Sequence, residues 1–381
     1  MDFSWSEEQL SLKNAVIKFA KKELNDDVIN RDRHSTFSWE GWKKCAEFGI
    51  QGLPIPLEYG GGGSDILTTT LVMEGLGYGC SDKGLIFSIN AQMWTCEMPI
   101  LSFGTEEQKQ RYLPKLCKGE YIGANAITEP DSGSDSFSLR TKAELKGNHY
   151  VINGTKIFST NGDIADLIVT FATVDRAKGF MGVTGFLVEK ETSGFSVSKK
   201  IEKMGLRTSP FCELVFEDCA VPIKNRLGKE GGGSAIFNSS MEWERSCILA
   251  SALGAMERQL EVCIKYAKDR KQFGKSIGKF QSVSNKIANM KIRLETSRLL
   301  LYRVAWLKKM GKKAIMDAAI AKIYLSESFI QSSLDAIQIH GAYGYTTEFE
   351  IERDLRDSIG GTIYSGTTEI QKLIIANYLG L

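Results

Sequence analysis

The sequence predicts an α+β chain, mainly α, in three parts: an N-terminal helical domain over residues 1–121, a middle β-barrel or sandwich domain over 122–226, and a C-terminal four-helix-bundle domain over 227–381. Three observations carry this. All seven prolines lie at or before Pro222, so the whole C-terminal part lacks the residue that helix interiors tolerate worst. Ahead of it, short apolar runs alternate with glycine-rich turns, the texture of a small β domain. The first part opens and closes on helix-start signals.

Those signals are Ser6 with Gln9, ahead of Leu10, Leu12, Val16, Ile17 and Phe19, and Thr105 with Gln108, ahead of Tyr112 and Leu113. Each is a capping-box spacing. The tract from Tyr59 to Ser64 separates two helical runs. A chain of 381 residues, 43% apolar, exceeds one ordinary core and suits two or three packed units.

In the middle part, Asn153-Gly154 between two short apolar runs predicts a hairpin turn. Further strands are expected over 166–172, 185–188, 195–197 and 213–216. In the last part, Gly231-Gly-Gly-Ser234 reads as a flexible start with Ser234 as cap. One helix is expected from there to about Arg270, roughly 50 Å at 1.5 Å per residue.

Composition narrows the function classes. With 48 basic and 46 acidic residues the formal charge is +2, which gives no argument for nucleic acid or membrane binding. The basic stretch Lys265, Lys268, Arg270, Lys271, Lys275 and Lys279 reads either as a solvated helix face or as a seat for a phosphate-bearing cofactor. Eight cysteines show no C-x-x-C pair and the three histidines are scattered, so a zinc site is not expected. Nor is a disulfide framework, which makes a reducing cytoplasm the expected location. The start Met-Asp-Phe-Ser-Trp-Ser-Glu-Glu has neither the basic opening nor the apolar run of a signal peptide. No apolar stretch approaches 18 residues, so no membrane insertion is expected. Dinucleotide-binding and P-loop glycine signatures are absent, as is G-x-S-x-G.

Glu242 and Glu244 stand out among apolar neighbours on the long C-terminal helix. At about 100° per residue they point in different directions, so at most one need face inward. A carboxylate held among apolar groups acquires a raised pKa and can act as a base near neutral pH. Spacing alone leaves open that Glu244 is simply paired with a cation.

Several blocks, in order, resemble the acyl-CoA dehydrogenase family. They are Thr128-Glu-Pro-Asp-Ser-Gly-Ser-Asp135, Arg270-Lys-Gln-Phe-Gly274 with Gln281, Gln338-Ile-His-Gly341, Arg353-Asp-Leu-Arg-Asp357 and Ile363-Tyr-Ser-Gly-Thr367. The resemblance covers essentially the whole chain. It implies an FAD-dependent oxidation of an acyl thioester by a homotetramer. Thr128 and Thr160 are implied at the flavin ring and Ser134 at its phosphates. Phe158 stands where the family has a tryptophan beside the flavin. Arg270, Phe273 and Gln281, with Gln338 and Gly341, are implied to serve the FAD of an adjacent subunit. Thr367 and Glu369 are implied near its nucleotide half.

Many members carry the catalytic base in Tyr-Glu-Gly-Thr, where this chain has Tyr364-Ser365-Gly366-Thr367. A branch that includes isovaleryl-CoA dehydrogenases places the glutamate on the long helix before an arginine, which Glu244-Arg245 matches. The resemblance therefore implies Glu244 as base, Arg245 in substrate binding, and the Ser365 backbone N–H as donor to the substrate carbonyl. Trp-Glu-Arg together with Ser-Gly-Thr is similar to the prolyl-carrier-protein dehydrogenases of pyrrole and anatoxin-type pathways. That branch implies a prolyl thioester on the phosphopantetheine arm of an acyl or peptidyl carrier protein, oxidised by two or four electrons. Oxygen or an electron-transfer flavoprotein would be the acceptor. Trp94 and Glu97 are implied near the acyl group, with Glu97 facing the ring nitrogen. Lys199, Lys200, Lys203 and Arg207 are candidates for a basic rim that steers an acidic carrier. Two other readings share the fold: a short- or branched-chain acyl-CoA dehydrogenase, and a catalytically inactive flavoprotein scaffold.

Overall fold

The computed structural model describes residues 4–381. Seven helices come first: α1 (Glu7–Glu23), α2 (Val28–His34), α3 (Trp39–Phe48), α4 (Ile66–Gly79), α5 (Lys83–Gln92), α6 (Met98–Phe103) and α7 (Glu106–Cys117). Both expected capping boxes form: Ser6 and Gln9 exchange bonds ahead of α1, and Thr105 and Gln108 ahead of α7. Between α5 and α6 the chain makes one π-helical turn, Met93–Glu97. Such turns insert a residue into the helical ladder and re-aim the side chains that follow.

Eight strands make the middle sheet: β1 (Gly123–Ala126), β2 (Lys142–Lys146), β3 (His149–Thr160), β4 (Leu167–Thr173), β5 (Val183–Glu189), β6 (Phe195–Lys200), β7 (Phe211–Pro222) and β8 (Arg226–Leu227). The pairing order is β6-β7-β3-β2-β4-β5-β8, with β1 parallel to β4. The β3/β7 half folds over the β4/β5 half, and the Tyr150 and Phe186 rings meet edge to face at 5.0 Å between them. The outer face of β4 and β5 packs on helices, as in the edge-to-face contact of Phe171 with Phe237. Their residues are therefore buried almost throughout rather than alternating between buried and exposed.

The hairpin lies elsewhere than expected. Gly147-Asn148 joins β2 to β3, with Lys146 opposite His149 and Gly147 at φ 60°. Asn153-Gly154 sits inside β3, where the register against β7 shifts. The Asn153 side chain bridges that gap, accepting from Asp218 N at 2.7 Å and donating to Asp218 Oδ1 at 3.1 Å. A Cβ on Gly154 would lie 2.4 Å from Thr141 Oγ1, so only glycine fits this bulge.

The C-terminal part contains α8 (Gly233–Cys247), α9 (Ala250–Asp269), a short hairpin of β9 (Lys271–Gln272) and β10 (Lys275–Ser276), α10 (Gln281–Lys309), α11 (Ile315–His340), α12 (Ala342–Tyr345), α13 (Ile351–Ile359) and α14 (Thr368–Tyr378). The single long helix expected from residue 234 to 270 is interrupted at Ile248-Leu249. Ser246 Oγ bonds back to Glu242 O at 2.6 Å and Ser251 Oγ to Ile248 O at 3.5 Å on either side of the break. Back-bonding of this kind bends helices. Ser234 does not cap; Gly232 is the cap residue and makes no side-chain bond. A Cβ on Gly233 would come within 2.8 Å of the Val183 backbone, so the helix start is pressed onto β5 and glycine occupies it.

Helices α4 and α9 hold the N-terminal part to the bundle at backbone contact. A Cβ on Gly77 would lie 1.9 Å from Ser251 O, and one on Gly254 2.0 Å from Glu74 O. Buried Glu74 gathers Lys13, Arg298 and Tyr302, tying α1, α4 and α10 together. All eight cysteines are buried free thiols. Among the described residues no helix is long and apolar enough to cross a membrane.

Candidate active site

The two glutamates of α8 separate as helical geometry requires. Glu242 points outward to an ion pair with Lys308 at 2.9 Å. Glu244 is buried and, among the described residues, makes no ion pair. Burial pushes its pKa up to about 7, while the neighbouring Ser365 hydroxyl and then Arg245 and Lys322 pull the other way. The Ser365 Oγ is itself buried without a well-formed hydrogen bond. Glu244 is thus a carboxylate poised to exchange a proton near neutrality, facing the 364–367 loop.

That loop is clamped by its backbone. Arg245 Nε donates to Ser365 O at 2.9 Å. Lys322 Nζ donates to Gly361 O at 3.0 Å and Gly366 O at 2.8 Å. Gln371 Nε2 reaches Ser365 O at 3.1 Å and Gly366 O at 2.9 Å. Ser365 adopts φ 58° and Gly366 φ 92°, a left-handed pair that holds the peptide turned. Among the described residues no acceptor takes the Ser365 N–H. Thr367 caps α14 through Ile370 N at 3.4 Å, and Glu369 is exposed in the first turn of that helix. Lys322 and Gln371 were not marked in the sequence; nothing in helical spacing tells that a lysine on α11 and a glutamine on α14 converge on one loop.

One turn beyond Glu244 lies a cavity of about 40 Å³, lined among others by Phe87, Asn90, Ile248, Leu249, Gly361 and Tyr364. The Phe87 and Tyr364 rings meet at 4.8 Å and form one wall. Trp94, from the π-helical turn, is fully buried, stacks on Trp243 at 6.2 Å and donates Nε1–H to Asn90 Oδ1 at 2.8 Å. Glu97 is also buried, but its carboxylate turns toward Gln92, whose Nε2 donates to it at 2.8 Å and to Leu116 O at 3.0 Å. Its other oxygen has no partner, and burial raises its pKa to about 8. It lies outside the residues lining the cavity.

A second surface lies at the end of β3. Phe158, at φ 62° and 53% exposed, stacks on Phe211 at 5.6 Å and presents its other face outward. Thr128 and Thr160 flank it half-buried, and Ile157 N donates to Thr128 O at 2.8 Å. Among the described residues neither threonine hydroxyl has a protein partner. An aromatic platform between two unspent hydroxyls fits a planar heterocycle with a polar edge. The loop beneath is fixed by Glu129, which accepts from Arg140 N at 2.6 Å, Thr141 N at 3.0 Å and Lys156 Nζ at 2.7 Å. Ser134 is exposed at its tip.

Arg270, Phe273, Gln281, Gln338 and Gly341 are all exposed. Phe273 and Gly274, at φ 52° and 77°, form the tip of the β9–β10 hairpin, and Phe273 is 92% exposed. Two positive φ values are what a tight two-residue hairpin requires. The expected basic rim is only partly there. Lys199 and Lys200 are exposed, Lys200 paired with Asp163 at 2.9 Å. Lys203 instead turns inward to Ser209 O at 2.6 Å and lies over the Phe211 ring, and burial lowers its pKa to about 8. Arg207 is tied to Arg33 O at 3.1 Å.

Comparison with known proteins follows this layout. Residues 6–120, 124–219 and 231–380 match the family profiles for the N-terminal, middle and C-terminal domains of acyl-CoA dehydrogenases. An L-prolyl-[peptidyl-carrier protein] dehydrogenase from Pseudomonas fluorescens is 44% identical, covering all of both chains. The crystal structure of the prolyl acyl carrier protein oxidase AnaB superposes with a TM-score of 0.98 at 53% identity, over 99% of this chain and 100% of that one. PigA with FAD and proline superposes with a TM-score of 0.97 at 43% identity, over 100% of each chain.

Proposed function

The chain belongs to the acyl-CoA dehydrogenase family, and from that premise we propose that it oxidises an L-prolyl group held as a thioester on an acyl or peptidyl carrier protein. The observation that carries the reading is the buried carboxylate of Glu244 set against the clamped Ser365 peptide. A thioester carbonyl acidifies its α-carbon, and Glu244 removes the α-proton. The Ser365 N–H, which no acceptor takes among the described residues, donates to the carbonyl oxygen as negative charge gathers there. Arg245 fixes that peptide rather than the acyl group.

The cofactor is FAD. Bound, it supplies the hydride acceptor at flavin N5. Phe158, Thr128 and Thr160 hold the ring, and Ser134 the phosphate region. Arg270, Phe273, Gln281, Gln338 and Gly341 face outward to complete the site of a neighbouring copy in a homotetramer. Thr367 and Glu369 border the nucleotide half. Electrons leave to oxygen or to an electron-transfer flavoprotein. The cavity one turn beyond Glu244 is small, about 40 Å³, with Phe87 and Tyr364 as one wall, and suits a compact ring better than an extended acyl chain.

The direct assay is mass spectrometry of prolyl-loaded carrier after incubation. The product is expected lighter by two hydrogens (1-pyrroline-carboxyl) or by four (pyrrole-carboxyl), with butyryl- and isovaleryl-CoA left unoxidised. Flavin bleaching by those CoA esters with the prolyl carrier unchanged would reverse the substrate assignment. The pH profile gives an independent check. Because Glu244 works deprotonated and titrates at about 7, kcat/KM is expected to rise with pH through about 7. Lys322 contributes positive charge beside Glu244, so Lys322→Met is expected to move that midpoint to higher pH while lowering the maximum rate. An unmoved midpoint would remove Lys322 from the electrostatics of the base.

A further inference from the structure

Asn90 is 1% exposed, lines the cavity beside Glu244, and has its amide orientation fixed from two sides. Its Nδ2 donates to Ile86 O at 2.9 Å, and its Oδ1 accepts from Trp94 Nε1 at 2.8 Å. A carbonyl can only accept and an indole N–H can only donate, so the amide cannot flip without losing both bonds. Each bond uses half the capacity of its end of the amide. One Oδ1 lone pair and one Nδ2 hydrogen remain unspent at a pocket that Phe87, Ile248, Leu249 and Tyr364 line together with Lys83, Asp357 and three serines.

We infer that Asn90 is the specificity-determining residue of the acyl pocket, its Oδ1 accepting the ring N–H of a cyclic amino-acyl thioester, with Trp94 as the positioning residue that holds the amide in that sense. This rests on the prolyl reading above and names the group that tells a prolyl from a carbocyclic acyl group of the same size. Apolar walls alone discriminate poorly between such isosteres. A buried acceptor left unpaired penalises the one that lacks the N–H. Trp94 follows Asn90 by four residues, the spacing that puts two side chains on one helix face, and its ring remains stacked on Trp243.

The test compares two acyl groups on the same carrier, prolyl and cyclopentanecarbonyl, with the FAD-loaded enzyme. The reading is the ratio of the inhibition constant of the carbocycle to the KM of the prolyl carrier. Asn90→Leu, close in shape but without polar atoms, is expected to lower that ratio about ten- to a hundredfold. Trp94→Phe, which keeps a ring and removes the indole N–H, is expected to lower it in the same direction by less. An unchanged ratio in both variants overturns the inference, whatever happens to absolute rates, because a structural role would weaken both ligands alike. If Asn90→Leu does not fold, Trp94→Phe and Asn90→Ser carry the same measurement. A wild-type enzyme that leaves the prolyl carrier unoxidised defeats the substrate reading and this inference together; a wild type that oxidises it, with ratios unmoved in the variants, defeats this inference alone.

Discussion

Glu244→Gln is expected to keep FAD and lose about a hundred- to ten-thousandfold in kcat with prolyl carrier, the usual worth of a positioned base. Glutamine preserves shape and cannot take a proton. Single-turnover flavin reduction measures the step directly, and near-wild-type reduction would take Glu244 out of the mechanism. The same change carries a stability signature of known sign. The folded carboxyl titrates at about 7 against an ordinary 4.5, so between those values the native state holds a proton that the unfolded chain has released. Stability therefore falls as pH rises from about 4.5 to about 7, by about 3 kcal/mol for a shift of this size. Urea midpoints of Glu244→Gln should exceed those of the wild type at pH 8 and lie closer to them at pH 5. A variant no more stable at pH 8 would mean that Glu244 is not held against its own ionisation.

Lys156→Met is expected to cost about 3–5 kcal/mol, the penalty for removing one partner of a buried ion pair. Lys156 is fully buried in β3 with its ammonium on Glu129 Oε1 and on Ile127 O, the latter at 3.1 Å. Burial brings the lysine down to about 8, with Glu129 pulling it back up. Burial works against ionised Glu129 too, but Lys156, Thr141 and the Arg140 N–H outweigh it and hold the carboxyl below its ordinary value. Without the lysine, Glu129 keeps two backbone donors and loses the one counter-charge that, among the described residues, lies within bonding reach. The loop carrying Thr128 and Ser134 loosens with it, so FAD should dissociate more readily. Chemical denaturation and flavin fluorescence on dilution report the two effects. Lys156→Met with Glu129→Gln should recover part of the loss; a double variant no better than the single would place the damage in packing instead.

What could be read ahead of the fold was what depends on neighbours in the chain. Capping boxes at Ser6 and Thr105 are local exchanges between residues three apart, and both form. The absence of proline correctly marked the helical C-terminal part. Asn153-Gly154 misled because the dipeptide that favours a tight turn also suits a bulge; the deciding partners, Thr141 and Asp218, are distant in sequence. Gly147-Asn148 carried a hairpin signal of its own that the stronger-looking pair obscured. The break at Ile248-Leu249 depends on serine back-bonds that apolar periodicity does not register. The inward face of Glu244 was legible from its apolar neighbours. Lys322, Gln371 and Asn90 were not, since their importance arises where α11, α14 and α5 meet the loop and cavity beside it. Lys203 and Arg207 looked like surface charge for the same reason: only the fold shows one turned inward and the other fastened to α2.

The turned peptide at Ser365 separates what its backbone must do from what its side chain must be. Arg245, Lys322 and Gln371 grip its carbonyl and the next ones, and none grips its side chain. What the position must keep is a backbone conformation, so the residue there can be exchanged without disturbing the donor. The position therefore constrains the left-handed backbone at Ser365 and Gly366 and leaves the identity of the side chain at 365 comparatively free.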